Sequence, residues 1–153
     1  MIAEDTPLIQ GVLVSPLKII MHPKGDVLHA IKSKSSGYDG FGEAYFSSIK
    51  KGEIKGWKKH LKMTLNLIVP EGEIRFVVYD DRENSQTKNE FYQTILSKNN
   101  YRRLTISPGL WVSFQGLSDG TNLLLNIASI EHDPNESRSL SLEKISYEWG
   151  KSG

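Results

Sequence analysis

The stretch 54–82, IKGWKKHLKMTLNLIVPEGEIRFVVYDDR, carries Lys58 and His60 two positions apart, residue types that move protons or hold charge. An imidazole exchanges protons near neutral pH, so His60 is the leading candidate base. Lys58 is a cation that becomes a base when burial depresses its pKa. Side chains alternate along a strand, which puts Lys58, His60, Lys62, Thr64 and Asn66 on one face and Leu61, Met63, Leu65 and Leu67 on the other. Such a strand is either half solvated, leaving His60 and Lys58 as surface groups, or one wall of a polar cavity in a β-barrel. Both readings stay open on the pattern alone.

The elements that must position these residues read as strands throughout. Residues 9–20 are extended and broken by Pro16, as an edge or arm strand would be. A turn at 22–26 leads to a short strand at 27–32 and a Ser/Gly/Asp-rich loop at 33–40. Residues 41–46 alternate, placing Phe41, Glu43 and Tyr45 together. Lys50 to Glu53 turns into the strand that carries His60, and Pro70 to Glu73 reads as a hairpin turn into a strand at 74–79. Further strands are expected at 91–96, 103–107, 110–114 and 123–130, with His132-Asp133-Pro134 ending the sheet and 139–149 forming a short strand or helix. No long helical period occurs, and turn signals recur every roughly eight to twelve residues, the spacing of an all-β barrel or sandwich.

A length of 153 residues suits one domain spanning the whole chain. Lys+Arg 19 against Asp+Glu 18 leaves a formal charge of +1, so no global field favours nucleic acid or a membrane surface. With no cysteine there is no disulfide or thiolate, and the opening MIAEDTP lacks signal-peptide character, so a cytoplasmic location is expected. Apolar runs such as 123–125 are too short to span a bilayer. Walker loops, Gly-x-Ser-x-Gly elbows and basic-aromatic nucleic-acid signatures are absent.

In order along the chain stand Phe41-Gly-Glu43, Ile54-Lys-Gly-Trp57, Asp80-Asp-Arg82 with Ser85 and Thr87, Asn99-Asn-Tyr101, Ile106-Ser-Pro-Gly109 and Gly116-Leu-Ser118. From about Gly25 to Trp149 this series resembles the dTDP-4-dehydrorhamnose 3,5-epimerase family. The resemblance implies a cupin-like double-stranded β-helix (jelly-roll) barrel, paired as a homodimer with N-terminal strands reaching toward the partner. It implies a nucleotide-diphospho-4-keto-6-deoxysugar bound in the barrel mouth, with no cofactor and no metal. A ketone acidifies the neighbouring carbons; a base removes a proton, the enolate is stabilised, and an acid returns a proton to the opposite face.

Carried over residue by residue, the family's catalytic His falls on Lys58, and His60 lies two positions later on the same face. Lys58 would then stabilise the enolate oxygen. The family's acid Tyr falls on Asn126, and the Asp that orients its base has no clear match near Leu140. Lys55 stands where the family has an Arg, and Glu43 where it has a nucleotide contact, with Phe41 placed to stack on a base or to pack. Asn66 shares the His60 face, and Asn126, an amide in an apolar strand, is either a structural bridge or a sugar contact. A metal-binding cupin needs His-x-His and a later His, but the first position is Lys58 and the late one, near Val112, is apolar. Arg82 with Asp80, Asp81, Ser85 and Thr87 reads as a loop-fixing network, and His22 and His29 carry no assignment. The alternatives are a sugar-nucleotide 3,4-ketoisomerase and a non-catalytic sugar-nucleotide-binding cupin.

Overall fold

A computed structural model of the protein describes residues 8–150; the opening MIAEDTP, and with it the expectation about a signal peptide, lies outside the described residues. The strands are β1 (Val12–Pro16), β2 (Ile19–Ile20), β3 (Val27–Leu28), β4 (Glu43–Ser48), β5 (Ile54–His60), β6 (Leu65–Glu71), β7 (Glu73–Tyr79), β8 (Phe91–Ser97), β9 (Arg102–Ile106), β10 (Trp111–Gly116), β11 (Leu123–Ala128) and β12 (Ser137–Leu140). One sheet has the order β1-β9-β6-β11-β4 and the other β12-β5-β10-β7-β8, while β2 and β3 form a separate ribbon. From β4 onward successive strands alternate between the two sheets, except at the β7–β8 pair, which lies within one. This alternation is the double-stranded β-helix.

The two sheets close on one core. Leu65, Leu67 and Val69 of β6 meet Ile74, Phe76 and Val78 of β7, with Leu96, Leu104, Ile106, Val112 and Leu124 completing it. A second cluster, Trp57, Val77, Trp111 and Ile145, packs with Phe91 of β8 and with Tyr147 and Trp149 of the C-terminal segment. Both clusters use the period-2 alternation of the strands, even positions of β7 facing one way and Val77 the other.

Two expectations about strand continuity are corrected. The polar run from Lys58 to Asn66 is not one strand: β5 ends at His60 and β6 starts at Leu65, in the other sheet. The interruption resets the alternation, so Leu65 and Leu67 face the core while Leu61 is exposed. Pro70 to Glu73 is likewise not a hairpin turn, because β6 and β7 belong to different sheets. Gly72, at φ 82°, makes the sharp passage between them. A Cβ there would lie 2.3 Å from the Thr121 carbonyl oxygen, so the corner accepts only glycine.

The loop between β7 and β8 is held as the sequence suggested. Asp80 accepts hydrogen bonds from Arg82 Nε at 2.9 Å, Ser85 Oγ at 2.5 Å and Thr87 Oγ1 at 2.7 Å. Burial alone would push the Asp80 carboxyl up, yet these donors hold it well below the usual carboxylate range.

Candidate active site

Between the sheets opens a cavity of about 290 Å³ whose walls include Lys55, Lys58 and His60 of β5, Tyr45 and Ser47 of β4, and Asn126 of β11. Leu65, Leu67, Val112, Phe114 and Leu124 supply its apolar lining. Lys55 and Lys58 differ in parity and would face opposite ways on a regular strand. They share the cavity because β5 bulges: Val112 pairs with Lys58 but Phe114 pairs with Lys55, so the register shifts between them. Bulges re-aim side chains in this way beside functional sites.

His60 is the group with acid–base chemistry best built into this cavity. Its Nδ1 lies 2.5 Å from Oε1 of Glu136, a carboxylate only 3% exposed. The second oxygen, Oε2, accepts from the backbone N–H groups of Leu61 (3.2 Å), Lys62 (3.0 Å) and Met63 (3.2 Å). Burial pushes the Glu136 carboxyl up, but the His60 hydrogen bond and those amides more than offset it and hold it below its ordinary value. Glu136 is therefore ionised, the Nδ1 proton of His60 points at it, and Nε2 is left to accept a proton in the cavity.

Glu136 went unrecognised in the sequence, where an acidic partner was sought near Leu140. It ends the short 3₁₀ helix Pro134–Glu136, capped by Asp133, whose side chain accepts from Asn135 N. The Asp-Pro pair that signals this helix start was visible as a turn; what the turn delivers, 76 positions from His60, was not.

The remaining candidates divide. Lys58 makes no ion pair among the described residues. Lys55 Nζ donates to Ser47 Oγ at 3.1 Å and the Ser48 carbonyl at 2.9 Å, bridging the two sheets at the cavity. Asn126 is buried; its Oδ1 accepts from Asn66 N at 3.3 Å and its Nδ2 donates to the Tyr45 hydroxyl at 3.0 Å. Glu43 sits on the Tyr45 and Ser47 face of β4 but does not reach the cavity, and Phe41 precedes the strand and is 63% exposed. Asn66 is turned away from the cavity, a correction that follows from the broken strand. Its Oδ1 accepts from Arg103 Nε at 3.1 Å and Thr105 Oγ1 at 2.6 Å, and its Nδ2 donates to the Gly37 carbonyl at 3.0 Å.

A larger cleft, about 490 Å³, lies between β1 and residues 29–36 and includes Arg103. Its guanidinium is already spent on Asn66 and on the carbonyls of Ala30 and Ser36. The chemistry therefore lies in the smaller cavity. No cluster of three or more His, Cys, Asp or Glu suited to a metal occurs among the described residues.

A sequence model of dTDP-4-dehydrorhamnose 3,5-epimerase matches residues 9–152. The chain belongs to the dTDP-4-dehydrorhamnose 3,5-epimerase family. Like that family, it is a sugar epimerase-type isomerase acting on a nucleotide sugar, on a cupin-like barrel. A relative in Haloferax volcanii, the probable low-salt glycan biosynthesis epimerase Agl13, is 28% identical over 137 residues, 86% of this chain and 88% of that protein. The dTDP sugar isomerase of Desulfovibrio desulfuricans G20 superposes with a TM-score of 0.88 at 35% identity, covering 92% of both chains. The sugar 3,4-ketoisomerase QdtA of Thermoanaerobacterium thermosaccharolyticum shares the fold at 19% identity, with a TM-score of 0.71 over 86% of this chain and 89% of that one.

Proposed function

We infer that this member of the epimerase family inverts a carbon next to the ketone of a dTDP-4-keto-6-deoxysugar, with His60 as the base. The observation that carries this reading is the His60–Glu136 pair in the cavity wall, with Lys58 beside it. Nε2 of His60 takes the proton α to the ketone; the C–H electrons form the enolate, and the ammonium of Lys58 stabilises its oxygen. Asn126 borders the sugar, while Lys55, Glu43 and the exposed ring of Phe41 serve the nucleotide end, where an aromatic face can stack on a base. No residue of this scheme needs a metal or an organic cofactor.

The protein works as a homodimer. Met63, Leu65 and Leu67 are buried within the barrel itself and offer no surface to a partner. Support comes from β1 and β4, which among the described residues are the edges of the first sheet, and from the exposed side chains of Phe46, Met21 and Val27. No helix among the described residues is long and apolar enough to cross a membrane. A cytoplasmic enzyme making a deoxysugar for glycan assembly fits the nucleotide-linked substrate.

The decisive experiment is incubation with a dTDP-4-keto-6-deoxysugar in deuterated water, with the sugar protons followed by NMR. Deuterium entering at C3 or C5, with a new epimer, is expected. Migration of the ketone to C3 would make the protein a ketoisomerase, and binding with no exchange a non-catalytic cupin.

A further inference from the structure

An epimerisation needs two proton carriers on opposite sides of one carbon, and His60 supplies only one. The position that matches the family's acid holds Asn126, and a carboxamide does not donate a proton in catalysis. Directly across the strand pair from Asn126 stands Tyr45, register partner on β4. We propose that Tyr45 is the proton donor of this enzyme, the acid having moved from β11 to the neighbouring strand; the inference rests on the epimerase reading above.

Three observations support it. First, Tyr45 and His60 line the same cavity from different sheets, β4 and β5, so a sugar ring held between them presents one face to each. Second, the orientation of Asn126 is determined by its surroundings. Its Oδ1 accepts from the Asn66 backbone N–H, so Nδ2 is the group that meets the Tyr45 oxygen. The phenol oxygen is thus an acceptor in that bond, and its own O–H is free to point elsewhere. Third, Tyr45 is 43% exposed although it lies on a cavity wall, so the residue borders open space and is not locked into the packed core.

The step balances without any added reagent. Nε2 of His60 removes the α proton and the carbonyl becomes an enolate beside Lys58. Tyr45 then gives its O–H proton to the opposite face of the same carbon, the carbonyl reforms, and the phenolate is left accepting the Asn126 amide hydrogen bond. Proton exchange with water restores both groups. Asn126 acts through Tyr45 and is a positioning residue in this scheme.

The test is Tyr45→Phe in deuterated water with a dTDP-4-keto-6-deoxysugar, following exchange and inversion separately. The base remains, so His60 should still remove the proton and return deuterium to the same face: exchange with retention persists. Formation of the epimer should fall by about 10²–10⁴-fold, the range for loss of a general acid. Affinity for dTDP, read by calorimetry, should be unchanged. Asn126→Ala should slow inversion less than Tyr45→Phe, and the double variant should be no slower than Tyr45→Phe alone, because both changes act on one proton. Inversion at the wild-type rate in Tyr45→Phe, or equal loss of exchange and inversion, would overturn the assignment of Tyr45 and leave the epimerase reading standing. A wild-type protein that exchanges no proton would instead remove the epimerase reading, and this assignment with it.

Discussion

Nδ1 of His60 and Oε1 of Glu136 stand 2.5 Å apart, joining the end of β5 to a 3₁₀ turn that immediately precedes β12. The same carboxylate gathers the three amides 61–63, where the chain leaves one sheet for the other. One buried anion therefore orients the base and also satisfies the backbone of the crossover that follows it. An ionised acceptor makes hydrogen bonds of this kind about twice as strong as neutral ones.

Replacing His60 by alanine should remove proton exchange by roughly 10²–10⁴-fold, with dTDP affinity little changed. Single-turnover exchange in deuterated water measures the first quantity and calorimetry the second. Exchange at the wild-type rate would transfer the role of base to Lys58.

Glu136→Gln should slow exchange by about 10–100-fold through loss of the orienting partner. It should also lower stability, because an amide cannot accept from His60 and three backbone N–H groups as a carboxylate does. The rate and the melting temperature, measured on the same variant, should fall together.

Stability should respond to acid through the same group. The folded pKa of Glu136 lies below its ordinary value of 4.5, so its contribution is fully present above that value and is lost as pH falls through the folded pKa. The difference in melting temperature between wild type and Glu136→Gln should be greatest above pH 4.5 and shrink below it. A difference that grows with acidity would contradict this.

Lys58→Met should lower turnover by about 10²–10³-fold while ground-state binding is kept, as expected when charge stabilisation is confined to the transition state. Lys59, one residue on, serves as the comparison, but not a silent one. It pairs with Asp81 at 2.8 Å and lies 4.8 Å from the Trp111 ring centroid. Lys59→Ala should cost about 0.2–1 kcal/mol of stability and leave turnover alone.

Asn66→Ala should destabilise the fold by about 1–3 kcal/mol, since it strips the acceptor from buried Arg103 and Thr105. Substrate affinity should hold. Denaturant titration and calorimetry on one preparation separate the two roles, and a loss of affinity without a loss of stability would return Asn66 to the site.

The strands themselves were legible in the sequence, because period-2 alternation and turn residues are local properties and β8, β9 and β11 fall close to where the pattern puts them. The presence of His60 and Lys58 on one side of β5 followed from the same alternation, and the ordered motifs pointed to the family. What only the tertiary structure decided depends on contacts between distant residues. The break after His60 moved Asn66 out of the site and Leu65 into it, because a strand that changes sheets restarts its alternation. The bulge that brings Lys55 beside Lys58 is a property of pairing with β10, and composition leaves no mark of it. Glu136 became the partner of His60 only when β12 paired with β5, and Tyr45 became the neighbour of Asn126 only when β4 paired with β11. Local alternation determines which residues can face together; sheet order determines which of them meet.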